Sequence, residues 1–143
     1  MRLYGGARGG DPYAGRNPTR IAVGTTTVVA LTGSTTVNSA AYVPPVGRSA
    51  VAYCCNGWAQ VTAALAAGQT LSVEGRIIRS GGGVPRMAFR RTAAAAPLGT
   101  VVSFENIQAF LTAQDELDIV GSLSAGAGTA DLAGGIDVLE YDA

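Results

Sequence analysis

Apolar and polar positions alternate along residues 69–80, QTLSVEGRIIRS, and again along residues 114–124, QDELDIVGSLS. Leu71 and Val73 in the first stretch, and Leu117 and Ile119 in the second, fall two apart, with Ser72 and Asp118 between them. A period of two is what a pleated strand with one buried face requires. The stretches align without a gap, Leu71 on Leu117, Val73 on Ile119 and Gly75 on Gly121, and so read as corresponding strands in two halves of a β-sandwich.

The same texture runs through most of the chain. Residues 21–23 and 26–31 are rich in β-branched side chains, which suit a pleated surface better than a helix. Residues 40–43 form a short strand ended by Pro44-Pro45, since proline cannot donate to a central ladder. Residues 49–55 predict a more buried strand, with Val51, Tyr53 and Cys55 on one face and Ala50, Ala52 and Cys54 on the other. Asn56-Gly57 is a hairpin signal, and the following strand, 58–65, sets Trp58, Gln60 and Thr62 against Ala59, Val61 and Leu65. Further strands are expected at 86–92, 101–104, 107–111 and 116–124, and Ile136 and Val138 alternate with Asp137, Leu139 and Tyr141 near the end. Residues 107–112 are the one place where a helical turn competes. Many short strands with turn signals between them predict an all-β protein, a sandwich or barrel.

Residues 1–19 break the pattern. They hold five Gly and two Pro without periodicity, which makes them an extended N-terminal arm that builds no core of its own. The expected organisation is an arm, 1–19, and a sandwich, 20–143. Arg2, Tyr4, Arg8, Tyr13, Arg16 and, just beyond, Arg20 are residue types favoured as anchors in protein interfaces. They are the candidate contact residues.

Composition sharpens this into a surface argument. Only 14% of the 143 residues are charged, against roughly 25% in an average soluble protein. Much of the surface must therefore be Thr, Ser, Ala and Gly, which desolvate at little cost. The charge that exists is lopsided: residues 1–91 carry all ten Arg and only two acids, and residues 92–143 carry eight acids and no cation. The basic arm of one copy can thus meet an acidic surface on a neighbour, a complementarity that guides register more than it adds affinity.

Candidate chemistry is thin. Histidine and lysine are both absent, which removes the commonest general base, the commonest transition-metal ligand and the Schiff-base nucleophile. Asp115, Glu116 and Asp118 cluster, but a hydrophobic strand follows where a calcium loop would need further ligands. Gly81-Gly82-Gly83 lacks the Lys-Ser/Thr of a phosphate loop. The adjacent Cys54 and Cys55 point to opposite faces of a strand, so reduced thiols are expected. No catalytic residue, metal or cofactor is expected. No apolar run approaches the roughly 20 residues of a membrane span, and the N-terminus lacks a signal peptide's apolar centre. Arginines in the arm offer phosphate contacts, but a net charge of zero weighs against genome binding.

The Arg/Gly arm, the Thr/Ala/Gly-rich β body and the turn-and-strand step Ala67-Gly68-Gln69-Thr70-Leu71-Ser72-Val73 resemble the small decoration, or cement, proteins of tailed bacteriophages. The same step is also similar to strand starts in trimeric jelly rolls of the tumour-necrosis-factor and C1q kind. The first resemblance implies a jelly-roll-like antiparallel β-sandwich that forms a homo-oligomer, dimer or trimer, made in the host cytoplasm. It would bind the outer surface of an icosahedral head and bridge major capsid protein subunits, with the arm crossing to adjoining subunits. The alternatives are a receptor-binding or fibre-tip module, for which Trp58 is the candidate sugar-stacking residue, and the jelly-roll shell protein of a small virus.

Overall fold

The computed structural model describes residues 15–24, 28–83 and 85–143. Nine strands follow one another: β1 Thr19–Gly24, β2 Val29–Leu31, β3 Thr35–Tyr42, β4 Arg48–Ala63, β5 Thr70–Ile78, β6 Arg86–Ala94, β7 Val101–Leu111, β8 Glu116–Leu123 and β9 Thr129–Asp142. One sheet has the order β1-β9-β4-β7, with β2 also on β9, and the other has the order β3-β8-β5-β6. Every pairing is antiparallel.

The order follows from folding one long hairpin upon itself. Ser72 pairs with Thr92, Trp58 with Ser103, Thr36 with Ser122 and Ala30 with Asp131. The midpoint of each pair falls between residues 79 and 82, next to Gly81-Gly82-Gly83. The chain therefore doubles back there, and the paired ribbon wraps so that successive ribbon segments alternate between sheets. That is a jelly roll, and the all-β antiparallel sandwich expected from the alternation is what forms.

Inward side chains of both sheets make one core. Leu71, Val73, Leu117, Ile119 and Leu123 come from the β3-β8-β5-β6 sheet, and Leu132, Ile136 and Val138 from β9. Alanines on β4, Ala50, Ala52 and Ala59, leave room for them. Burying a Leu or Ile side chain contributes about 1.5–3 kcal/mol, so these rows outweigh any local turn preference.

The two similar stretches are direct neighbours in one sheet. β5 and β8 pair antiparallel, so Gly75 lies opposite Ile119 and Gly121 opposite Val73. Each strand's glycine sits beside the other's bulky residue, and a Cβ on Gly121 would meet Leu132 Cδ2 of the facing sheet at 2.6 Å.

Several expectations change. Asn56-Gly57 is no hairpin: β4 runs through it for 16 residues, because β9 supplies a partner along almost its whole length. Gly57 is needed for space, since a Cβ there would lie 2.6 Å from Phe104 Cζ. The register on β9 slips between Ala52 and Cys54, so the inward row is Ala50, Ala52 and then Cys55, not Cys54. Residues 101–104 and 107–111 form one strand through Asn106, with no helical turn. β3 starts at Thr35 and β9 at Thr129, earlier than the alternation indicated. Residues 26 and 27 of the expected 26–31 strand lie outside the described residues; Val29–Leu31 is strand.

Buried polar groups pin both ends. Gln69, fully buried, accepts from the amides of Ala66 at 3.0 Å and Gly128 at 2.9 Å, and donates to the carbonyls of Ser124 and Gly128. It ties the β4–β5 loop to the β8–β9 loop. At the other end, Glu140 accepts from the Tyr42 hydroxyl at 2.5 Å and from Arg48 Nε at 3.0 Å. Burial and the Glu140 carboxylate push the Tyr42 hydroxyl pKa up. Arg48 also pairs with Asp142, which lowers the Asp142 pKa.

Candidate functional site

The outer faces of the two sheets differ in chemistry. On the β3-β8-β5-β6 sheet, Ser72, Thr36, Ser122 and Thr92 line a shallow groove of about 430 Å³ with Glu74, Arg76 and Arg90. Glu74 is 2% exposed although it points outward, because Arg76 and Arg90 fold over it and both ion-pair with it. Next to this group, Asp118 lies opposite Arg76 and is also buried. Its Oδ1 has no hydrogen-bond partner. Burial, then the neighbouring Glu116 carboxyl, push its pKa up to about 7 against the pull of Arg76.

Asp115 shows the opposite balance. Burial opposes its ionisation, but the amides of Ser80 and Thr112, the Arg79 guanidinium and the Thr112 hydroxyl outweigh that and hold its pKa near about 2. It fastens the β7–β8 turn to the end of β5. Among the described residues, no three His, Cys, Asp or Glu side chains gather as metal ligands would.

The outer face of the five-stranded sheet exposes large apolar side chains among polar ones. Tyr53 and Trp58 on β4, and Val101 and Phe110 on β7, are exposed there, Phe110 by 69%. Phe110 stands opposite Val51, which stands opposite Leu139. Acids outnumber cations on the sheet's strands, although β1 carries the exposed Arg20 opposite Leu139. β7 and β9 contain no cation, and the single one on β4, Arg48, is engaged by Glu140 and Asp142. Glu105, Asp131 and Asp137 remain on the strands that form this face.

A hollow of about 380 Å³ interrupts the face, lined by Asn56, Trp58, Ser103, Glu105, Asn106 and the bare stretch Ala133-Gly134-Gly135 among others. Three backbone features create it. β4 slips register on β7 between Ala52 and Cys55 and again before Gly57. β7 answers with Asn106 in a left-handed conformation, φ 56, where a non-glycine residue is uncommon. β9, on the other side of β4, is bare at Ala133-Gly134-Gly135. Such bulges re-aim side chains and occur next to functional sites.

A small polar knot holds the irregularity. The Asn106 amide donates to Asn56 Oδ1 at 3.0 Å. Cys54 Sγ lies 3.6 Å from Asn106 Oδ1 and 3.4 Å from Asn56 Nδ2. Below, the buried Phe104 ring packs on Phe89, centroids 4.1 Å apart. Cys54 and Cys55 are free thiols, and burial, then Cys54 and Asp137, push the Cys55 pKa up to about 12.

Of the contact residues expected from sequence, Arg2, Tyr4, Arg8 and Tyr13 lie outside the described residues. Arg16 is exposed, and its carbonyl accepts from the Asp142 amide at 2.7 Å. Arg20 sits on β1 opposite Leu139. The hollow itself was not anticipated as a site, apart from Trp58. Its signal was present as Asn56-Gly57 and Glu105-Asn106, polar turn-type pairs inside apolar runs, which mark bulges here.

The fold defines the class, a jelly-roll β-sandwich. No family model and no curated protein matches the sequence. Among solved structures, the Eiger tumour necrosis factor of S. frugiperda is similar over 90% of this chain and 94% of that one, with a TM-score of 0.51 at 11% identity. An infectious bursal disease virus structure, Gx strain, is similar over 86% of this chain and 32% of that one, with a TM-score of 0.48 at 14% identity. A family 22 carbohydrate-binding module of Clostridium thermocellum Xyn10B is similar over 85% and 80%, with a TM-score of 0.46 at 15% identity. At these identities the likeness concerns the fold alone.

Proposed function

We propose that this chain is a structural virion protein, a decoration or cement protein that self-associates and binds the outside of an icosahedral phage head, bridging major capsid subunits without catalysing a reaction. The observation that carries the reading is the outer face of the five-stranded sheet, where Tyr53, Trp58, Val101 and Phe110 are exposed together. Aromatic side chains of this kind dominate the energetics of protein interfaces. The rest of the surface, poor in charge and rich in Ser, Thr and Ala, suits broad contacts that desolvate cheaply.

The test is a mass measurement in solution and co-sedimentation with empty capsids. A small homo-oligomer that sediments with capsids and raises the temperature at which they rupture supports the reading. A chain that neither self-associates nor binds capsids ends it, and closed particles formed by the purified chain alone would favour a shell protein.

A receptor-binding module is the second reading, favoured by Trp58 at the mouth of the hollow with Asn56, Asn106, Ser103 and Glu105 around it. An aromatic wall with amide and carboxylate groups is chemistry that suits a sugar ring. Specific glycan-array binding that Trp58→Ala abolishes would decide for it.

A further inference from the structure

We propose that the Trp58 hollow is a socket for the N-terminal arm of a second copy of this chain, with the Arg2 or Arg8 guanidinium seated on the indole and paired with Glu105. The inference rests on the self-association part of the assembly reading and names the contact that would build it.

The first argument is charge. No ion pair reaches Glu105 among the described residues, and no cation lines the hollow with it. The hollow is thus acidic without a counter-charge in its lining, whereas the arm brings Arg2 and Arg8 against Asp11 alone. The chain has no lysine, so every side-chain cation it can offer is a guanidinium. Guanidinium groups stack on aromatic faces and fork onto carboxylates, and both partners meet at this hollow.

The second argument is direction and reach. β1 begins with Thr19 opposite Glu140 and ends with Gly24 opposite Gly135, so the hollow lies at the far end of β1 from the arm. The chain leaves β1 about 17 Å from the hollow and on the side away from it. Residues 1–14 span up to roughly 46 Å when extended, enough to cross to an adjoining copy. Donation of this kind is reciprocal in a two-fold dimer and head-to-tail around a larger ring.

Trp58 is the only tryptophan, so its emission reports the socket directly in the full-length protein. Light-scattering mass and acrylamide quenching of Trp58 are measured across concentration for the wild type, the double variant Arg2→Gln/Arg8→Gln, Glu105→Gln and their combination. The expected wild type is an oligomer with Trp58 shielded. The arm variant and Glu105→Gln should each expose Trp58 and weaken association about fivefold to tenfold. Their combination should do little more, because both remove the same contact. Charge reversal, Glu105→Arg with Arg2→Glu/Arg8→Glu, should restore shielding.

Shielding that persists unchanged in a monomer at the lowest concentration would mean that the chain's own arm fills the hollow, and would overturn the proposal. An oligomer that still sediments with capsids while Trp58 is fully quenchable, or insensitive to the arm variants, also overturns it and leaves the assembly reading standing. A wild type that is monomeric with Trp58 exposed removes the socket, and capsid co-sedimentation then decides the assembly reading separately.

Discussion

Asp118 of β8 stands directly opposite Arg76 of β5, yet its Oδ1 has no hydrogen-bond partner. Arg76 turns instead to Glu74, to which it donates through Nε at 2.8 Å. Asp118 is left buried beside Glu116 with its pKa pushed up to about 7, from an ordinary value of 3.8. Between those two values the folded chain holds a proton that the unfolded chain releases, so this group's contribution to stability declines as pH rises through that window.

Asp118→Asn should therefore be more stable than the wild type at pH 8, by about 1–3 kcal/mol, and the difference should vanish below about pH 4. Urea unfolding at a series of pH values measures it. Asp115 contributes with the opposite sign. Its lowered pKa, about 2, gives stability above its ordinary value of 3.8 that is lost as pH falls to about 2. Equal pH profiles for wild type and Asp118→Asn would remove the assigned proton.

Gln69→Ala should cost about 2–4 kcal/mol. The substitution strips partners from two loop amides and two carbonyls that the buried side chain now satisfies. Hydrogen exchange should speed up in both the 64–69 and 124–129 loops, because one amide group joins them. Acceleration confined to residues 64–69 would contradict the shared pin.

Gly57→Ala should destabilise by about 1–3 kcal/mol, since the new methyl group meets the Phe104 ring. Phe104→Leu should recover part of that loss in the double variant, although alone it weakens the core. Coupling between the two sites in a double-mutant cycle checks the contact. Strictly additive effects would mean that backbone conformation, not space, selects glycine there.

Thiol titration distinguishes the adjacent cysteines. Cys54 is half-buried and Cys55 fully buried with its pKa held at about 12. The native protein should yield at most one reactive thiol to a disulfide reagent, and two after unfolding in urea. Two fast-reacting thiols in the native state would show that β4 does not turn Cys55 inward.

Alternation by itself determined much of this protein. Leu71, Val73, Leu117, Ile119, Ile136 and Val138 lie on buried faces because a strand repeats every two residues, and each of their neighbours tells which parity is inward. The tertiary structure decided what periodicity cannot carry, namely which strand pairs with which and where parity breaks. Asn56-Gly57 has the chemistry of a turn, but the long β9 alongside offers a continuous ladder, so the chain bulges there and Cys55 moves inward in place of Cys54. The hollow exists because that slip in β4 lies between the left-handed Asn106 of β7 and the bare Ala133-Gly134-Gly135 of β9. Those three segments are far apart in the chain, and only the doubled winding about residues 79–82 places them together.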